Sequence, residues 1–333
     1  MAQAEFDVLG IGNAIVDILA ITEDDFLVRE GLSKSTMHLI DAARADALYS
    51  HMGPAIEASG GSAGNTIAGV ASLGGRGAFI GKVADDAFGD IYRHDMRAQG
   101  AHFDTAPLAG GAPTARCMIL ITPDGERTMN TYLGACHALG PEDIDPDVVG
   151  RSAITYLEGY LWDPPQAKKA FVRAAEIAHA AGRKVSLTLS DAFCVDRFRG
   201  EFRDLIRSQT VDILLANDSE VRSLYETADL DSAVAALRAD CPLAAVTIGA
   251  EGALVVTPET IEKVSATPVE TVADLTGAGD LFASGFLFGI ARGMALAEAG
   301  RLGTLAASEV IGHIGPRPAT PLIDVARAAG FAL

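Results

Sequence analysis

Short apolar runs of strand length alternate with helix-length stretches along most of the 333-residue chain. FDVLGIG at 6–12 is apolar without interruption and ends in glycines, as suits a first strand covered on both faces. A helix is expected from about Gly64, a strand over Ala78 to Ile80 and a helix over Asp86 to Gln99. The pattern resumes with strand Ala153 to Leu157, helix Gln166 to Ala181, strand Lys184 to Leu189, helix Phe198 to Ser208 and strand Val211 to Leu215. Strands at Ala244 to Ile248 and Ala253 to Val256 follow, then Ala-rich helices from about Gly277 and Ala295. Such βα repetition requires right-handed crossovers and a largely parallel sheet with helices on both faces. The expected fold is therefore α/β.

Two stretches break the pattern. Residues from about 18 to 40 are mixed and interrupted, and within 103–132 the runs Cys117 to Thr122 and Arg127 to Tyr132 flank a Pro123-Asp124-Gly125 turn. Together they are expected to form a small, discontinuous β-rich lid on one domain spanning 1–333. No linker, repeat or low-complexity tract divides the chain.

Charge narrows the function. A net charge of −18 repels phosphate backbones and anionic lipid, which argues against nucleic-acid and membrane partners. The amino terminus lacks a basic run before its apolar stretch, and no window reaches 18 uninterrupted apolar residues, so neither a signal peptide nor a membrane span is expected. Cys117, Cys136, Cys194 and Cys241 are widely separated, without disulfide or zinc spacing, and a cytoplasmic location with reduced thiols is expected. The histidines show no metal-ligand spacing either.

The segment Ala273-Asp274-Leu275-Thr276-Gly277-Ala278-Gly279-Asp280, followed by the apolar run Leu281 to Phe288, carries the most chemistry. Three small residues open a helix with no polar face. Their N–H groups converge at the positive end of the helix dipole, a site for the oxyanions of a transferring phosphoryl group. Asp280, in the same turn, is placed to take the proton of an attacking hydroxyl. Read alone, the segment also fits a Gly-rich cap with an acidic first turn.

Four further segments share this double reading. Gly60-Gly61-Ser62-Ala63-Gly64-Asn65-Thr66 is a glycine turn entering a helix, where backbone approaches a ligand closely and Asn65 can hydrogen-bond it. Gly12-Asn13-Ala14-Ile15-Val16-Asp17 ends the first strand with a carboxylate nearby. Asn217-Asp218-Ser219-Glu220 follows a strand and equally fits a helix cap. Thr247-Ile248-Gly249-Ala250-Glu251-Gly252 equally fits an ordinary β-turn.

Taken together, these segments resemble the ribokinase-like (PfkB) kinase family across almost the whole chain. The 274–280 stretch is similar to its D-T-x-G-A-G-D signature, with Leu275 in place of the usual Thr or Asn. The resemblance implies a ribokinase-like α/β fold, with Asp280 as catalytic base, Gly277, Ala278 and Gly279 as anion hole, and Asn13, Asp17, Gly60, Gly61 and Asn65 as substrate ligands. It also implies ATP held by Thr247, Gly249 and Gly252, and Mg2+ held through water by Glu220 with Asn217 beside it. A monovalent cation is compatible with it, as is either a monomer or a homodimer.

Gly125 to Ala135 looks like the E-R-x-x-x-x-L-x-A stretch of the adenosine-kinase branch. That branch implies a small-molecule acceptor, a purine nucleoside, with Leu133, Ala135 and Tyr160 against the base and Arg127 near the phosphates. Glu158 sits closer to the sugar-kinase pattern and keeps a sugar acceptor open. Two rivals fail on spacing: Gly10-Ile11-Gly12 lacks the third glycine of a dinucleotide fingerprint, and no G-x-x-x-x-G-K-[ST] string occurs.

Overall fold

The computed structural model describes residues 4–333. Thirteen strands are found among them: β1 (Phe6–Ile11), β2 (Ile15–Ile21), β3 (Met37–Leu39), β4 (Ile56–Ser59), β5 (Gly77–Ile80), β6 (Ala115–Ile121), β7 (Arg127–Tyr132), β8 (Ser152–Glu158), β9 (Lys184–Thr188), β10 (Ile213–Asn217), β11 (Leu243–Thr247), β12 (Ala253–Val256) and β13 (Ile261–Val264). Eight form one sheet in the order β13-β12-β11-β10-β9-β8-β1-β5. From β5 to β11 every neighbouring pair is parallel, and the β11-β12-β13 edge is antiparallel.

Adjacent residues of one strand feed opposite layers, which is why these strands read as unbroken apolar runs. Val8, Ile154 and Leu215 join the core under helices Ser62–Ser72, Ala278–Ala291 and Leu296–Val310. Leu9, Leu157 and Leu214 join the other core, under helices Pro165–Ala180, Ala192–Arg207, Asp218–Leu224 and Leu230–Asp240. The fold is α/β with a mostly parallel, doubly covered sheet, as the alternation implied.

The other five strands form a second sheet, β3-β7-β6-β2-β4. Val16, Ile18, Met118 and Leu120 turn one face of it into the main core, while Ile119 and Ile121 pack with Leu19 and Met129 on the other. Its extent differs from the sequence expectation. β2 starts at Ile15, β4 lies outside both expected segments, and 103–114 supplies no strand to this sheet. β4 is four residues long with a polar Glu57, too short for periodicity to register. The helix expected from Phe198 begins at Ala192, where the Asp191 side chain caps it, and Phe198 itself interrupts the helix with φ −124°.

Candidate active site

The carboxyl ends of β1, β8, β9, β10 and β11 lie along one edge of the large sheet, where Glu158, Asn217 and Thr247 end their strands and Asn13 and Ser190 follow theirs. In open α/β sheets that edge is where ligands bind. Two helix starts meet there, those of Ser62–Ser72 and Ala278–Ala291.

Gly277 caps the second helix in the left-handed region, φ 80°, and a Cβ there would collide with the Pro316 carbonyl. Only glycine enters this turn without strain. The Ala278 N–H donates to the Leu275 carbonyl at 3.2 Å, so it is turned away from a ligand. The N–H groups of Gly279 and Asp280 have no protein acceptor among the described residues, and a Cβ at Gly279 would meet open space. At this helix start the Gly277 N–H likewise has no acceptor among the described residues, so the free donors of the expected anion turn are Gly277, Gly279 and Asp280, with Ala278 contributing its small side chain.

Asp280 leans on the other helix. Its Oδ1 accepts from the Ser62 hydroxyl at 2.6 Å and its Oδ2 from the Asn65 amide at 2.9 Å. Burial raises its pKa, opposed by those two hydrogen bonds and by the charge of Arg317. A carboxylate so held keeps both oxygens oriented, and a raised pKa makes it a better proton acceptor.

Behind Asp280 lies a polar nest. Asp17 on β2 is buried, accepts no hydrogen bond among the described residues, and has its pKa pushed up to about 7 by burial, with Arg317 opposing and Asp280 reinforcing. A Cβ at Gly60 would collide with the Asp17 carboxylate, and one at Gly61 with the Asn13 carbonyl. Both glycines therefore allow β2 and the helix start to approach. Asn13 donates its side-chain N–H to Glu158 Oε1 at 2.6 Å, while its buried Oδ1 has no partner among the described residues. Glu158 is occupied on both oxygens: Oε2 accepts from the Ala63 N–H at 2.9 Å and the Asn13 N–H at 3.3 Å. Burial pushes its pKa up to about 7. The unpartnered Asp17 carboxylate and Asn13 carbonyl are acceptors awaiting donors, the chemistry a polyhydroxylated ligand supplies.

Two cavities flank the Asp280 turn. One, about 460 Å³, is lined by Ser62, Tyr160, Asn217, Glu220, Gly279 and Asp280. The other, about 660 Å³, is bordered by Thr247, Gly249, Gly252, Val272, Gly279 and Ile311 and is largely apolar. Gly279 and Thr247 line both, so the larger cavity opens beside the Asp280 turn. The apolar lining suits a flat base.

Asn217 and Glu220 form a reciprocal capping box. The Asn217 Oδ1 accepts from the Glu220 N–H at 2.9 Å, and Glu220 accepts from the Asn217 N–H at 3.0 Å and its amide at 2.5 Å. Glu220 is buried, and burial raises its pKa to about 7. The cap reading of this motif is realised, and no cluster of three metal-ligating side chains occurs among the described residues. A direct protein cage for a cation is not present among them. A Mg2+ that keeps its waters and sits on nucleotide phosphates, with Glu220 reached through water, fits this donor set.

Arg127 pairs with Asp274 and donates to Thr276 Oγ1 at 3.0 Å, which sets it beside the anion turn. Leu133 and Ala135 open the short turn that follows β7. Ala135 is fully buried, its N–H donating to the Pro113 carbonyl at 2.9 Å, and neither residue lines the cleft that holds Tyr160 and Asp280. The short turn Gly134–Ala138 backs onto Ala14 instead, through a Cys136 thiol bond to its carbonyl. Tyr160 does line the cleft, with its N–H on the Ser190 hydroxyl at 3.0 Å. Sequence reading passed over Ser62 and Arg317. Ser62 stands inside the quoted glycine segment, whereas nothing in His313-Ile314-Gly315-Pro316-Arg317 marks Arg317.

A helix start with free N–H groups, a carboxylate beside it and an apolar cavity share one sheet edge, and with the family and relatives that match it the protein is an ATP-dependent phosphotransferase. The pfkB family carbohydrate kinase domain matches residues 38–322, and the chain belongs to that family of kinases. It is similar to the crystal structure of adenosine kinase from Sinorhizobium meliloti, with 60% identity, a TM-score of 0.92 and coverage of 98% of this chain and 100% of that one. The crystal structure of a probable sugar kinase protein from Rhizobium etli CFN 42 has 56% identity and the same TM-score of 0.92, over 98% and 99%. Saccharomyces cerevisiae adenosine kinase is 26% identical across 92% of this chain and 95% of its own. Kinases of this family use ATP, usually with Mg2+. Among the described residues, no helix is long and apolar enough to cross a membrane.

Proposed function

We propose that the chain phosphorylates the 5′-hydroxyl of a purine nucleoside, adenosine foremost, with ATP as donor and Asp280 as general base. The observation that carries this is Asp280 itself, fixed by Ser62 and Asn65 between the polar nest and the cavity bordered by Thr247, Gly249 and Gly252. The attacking hydroxyl gives its proton to the Asp280 carboxylate as its oxygen bonds to the γ-phosphorus. The bond to the β,γ-bridging oxygen breaks, and the Gly279 and Asp280 N–H groups hold the developing charge. Glu220, with Asn217 beside it, would hold Mg2+ through water, and the ion would supply charge neutralisation on the phosphates. Arg127, freed from Asp274, adds a positive charge on the same side. The small sheet acts as the lid that excludes water from this reaction.

Asp17 accepts two ribose hydroxyls with its unpartnered carboxylate, and Asn13 and Asn65 complete the sugar contacts across Gly60 and Gly61. Tyr160 covers the base. Glu158, the residue that favours a sugar, is spent on Asn13 and the Ala63 N–H, which supports the nucleoside. The second reading, a free-sugar acceptor, is favoured by the likeness to the Rhizobium etli probable sugar kinase. The deciding measurement is kcat/KM for adenosine, inosine, ribose and fructose side by side by coupled ADP release. A higher value for either free sugar overturns the nucleoside assignment.

A further inference from the structure

One loop segment, Gly315-Pro316-Arg317, touches both helix starts of the site, at Gly277 and at Asn65. The Gly315 N–H donates to Asp274 Oδ2 at 3.0 Å, and the Pro316 carbonyl abuts Gly277. The Arg317 guanidinium reaches inward, with Nε on Asn65 Oδ1 at 3.2 Å and Nη1 on Ser59 Oγ at 2.6 Å. Among the described residues no carboxylate forms an ion pair with it. A largely desolvated guanidinium with neutral partners is costly to fold, so its retention calls for a compensating role.

That role follows from the Asn65 amide. Arginine has only donors and an ionised carboxylate only acceptors, so the amide is forced into one orientation: oxygen to Arg317, N–H to Asp280 Oδ2. Rotated by half a turn, it would set its oxygen lone pairs against the carboxylate. We propose that Arg317 is a positioning residue of the phosphotransfer, which locks the Asn65 amide and thereby keeps Asp280 ionised and aimed at the acceptor hydroxyl. This rests on Asp280 being the base.

The groups facing this pair agree with it. Around Arg317 stand Asp17 on β2, Tyr92 and Asp95 on helix Ala87–Ala98, and Asp280. Around Asp280 stand Ser62, Asn65 and Arg317, with Glu158 and Tyr156 of β8 and Tyr160 nearby. Arg317 is the positive charge acting on Asp280, and the largest influence that lowers the Asp17 pKa.

The test is kcat and kcat/KM for adenosine across about pH 5 to 9, with thermal melts, for the parent, Arg317→Met, Arg317→Lys and Asp280→Asn. In Arg317→Met the acid limb should move up by about one pH unit. Its kcat near neutrality should fall on the order of 10-fold and recover at alkaline pH, with the KM for ATP unchanged. Arg317→Lys keeps the charge but not the fork, and should show a smaller shift in the same direction. A uniform loss with an unmoved acid limb overturns the proposal. Where Arg317→Met fails to fold, the limb of Arg317→Lys decides in the same way. Asp280→Asn separates the two claims: parental turnover there removes the base assignment itself, whereas an inactive Asp280→Asn beside unshifted Arg317 variants removes the positioning role alone.

Discussion

Arg127, the first residue of β7, forms a buried ion pair with Asp274 in the loop that leads to the anion turn. Asp274 also accepts from the Thr276 N–H at 3.0 Å, the Thr276 hydroxyl at 2.8 Å and the Gly315 N–H at 3.0 Å. The small sheet is therefore tied to the catalytic loop by one charge pair. Removing Asp274 strands a desolvated guanidinium, and Asp274→Asn should cost roughly 3–5 kcal/mol in denaturant unfolding. The double variant Arg127→Met, Asp274→Leu should lose less than the two single variants summed. Additive losses would mean that the pair is not coupled.

Asp280→Asn preserves the shape of the side chain and one acceptor oxygen for Ser62 or Asn65, but it cannot take a proton. We expect kcat to fall on the order of 10²-fold or more with KM within a few fold, since the lost interaction belongs to the transition state. Parental turnover would exclude Asp280 as the base.

Burial raises the pKa of Asp17 and of Glu158 to about 7, from 3.8 and 4.5. A carboxylate with a raised folded pKa binds more protons folded than unfolded between those values, so stability falls as pH rises through that window. The ligand-free protein should melt lower at about pH 7.5 than at about pH 5.5, and Asp17→Asn should remove part of the slope. The same titration acts oppositely on binding, because the charged Asp17 is the better acceptor of ligand hydroxyls. The KM for the acceptor should therefore rise as pH falls below about 7. A flat melting profile in both parent and Asp17→Asn would contradict the shift.

Asn217 and Glu220 satisfy one another so fully that a cap alone accounts for their geometry. Glu220→Gln discriminates the cap from the metal role: we expect a higher Mg2+ concentration for half-maximal activity, as for loss of a group that orders a metal's water shell. A lower melting temperature with an unchanged Mg2+ titration would leave them as a cap only.

What was legible in the sequence is what lies contiguous in it. The parallel sheet shows in apolar runs buried on both faces, and the Asp280 turn shows because its small residues and carboxylate are consecutive. Arg317 is silent for the opposite reason: its partner Asn65 is 252 residues away, and no local pattern encodes a contact closed by tertiary packing. Leu133 and Ala135 are assigned through a resemblance alone, because the turn at Gly134, φ 41°, carries no local pattern that says which way the neighbouring side chains face. Glu158 reads as a ligand until its two oxygens are traced to Asn13 and Ala63.

The sharpest expectation concerns the ribose. Asp17 is buried without a hydrogen-bond donor among the described residues, and Gly60 leaves no side chain between its carboxylate and the cleft-side turn. On the proposed nucleoside reading, a ribonucleoside would relieve that deficit with its 2′- and 3′-hydroxyls, each donating to one carboxylate oxygen. An analogue lacking the 2′-hydroxyl leaves a desolvated oxygen unpaired, and sites built to pair a hydroxyl reject such analogues by as much as roughly 10⁴-fold. 2′-Deoxyadenosine should thus be a far poorer acceptor than adenosine in kcat/KM. Inosine should be separated less sharply, because packing of an apolar wall is worth only about 1–3 kcal/mol per small group. Asp17→Asn should narrow the gap between adenosine and its 2′-deoxy analogue, since an amide no longer accepts at both atoms. Equal kcat/KM for adenosine and 2′-deoxyadenosine in the parent would rule out Asp17 as the ribose ligand.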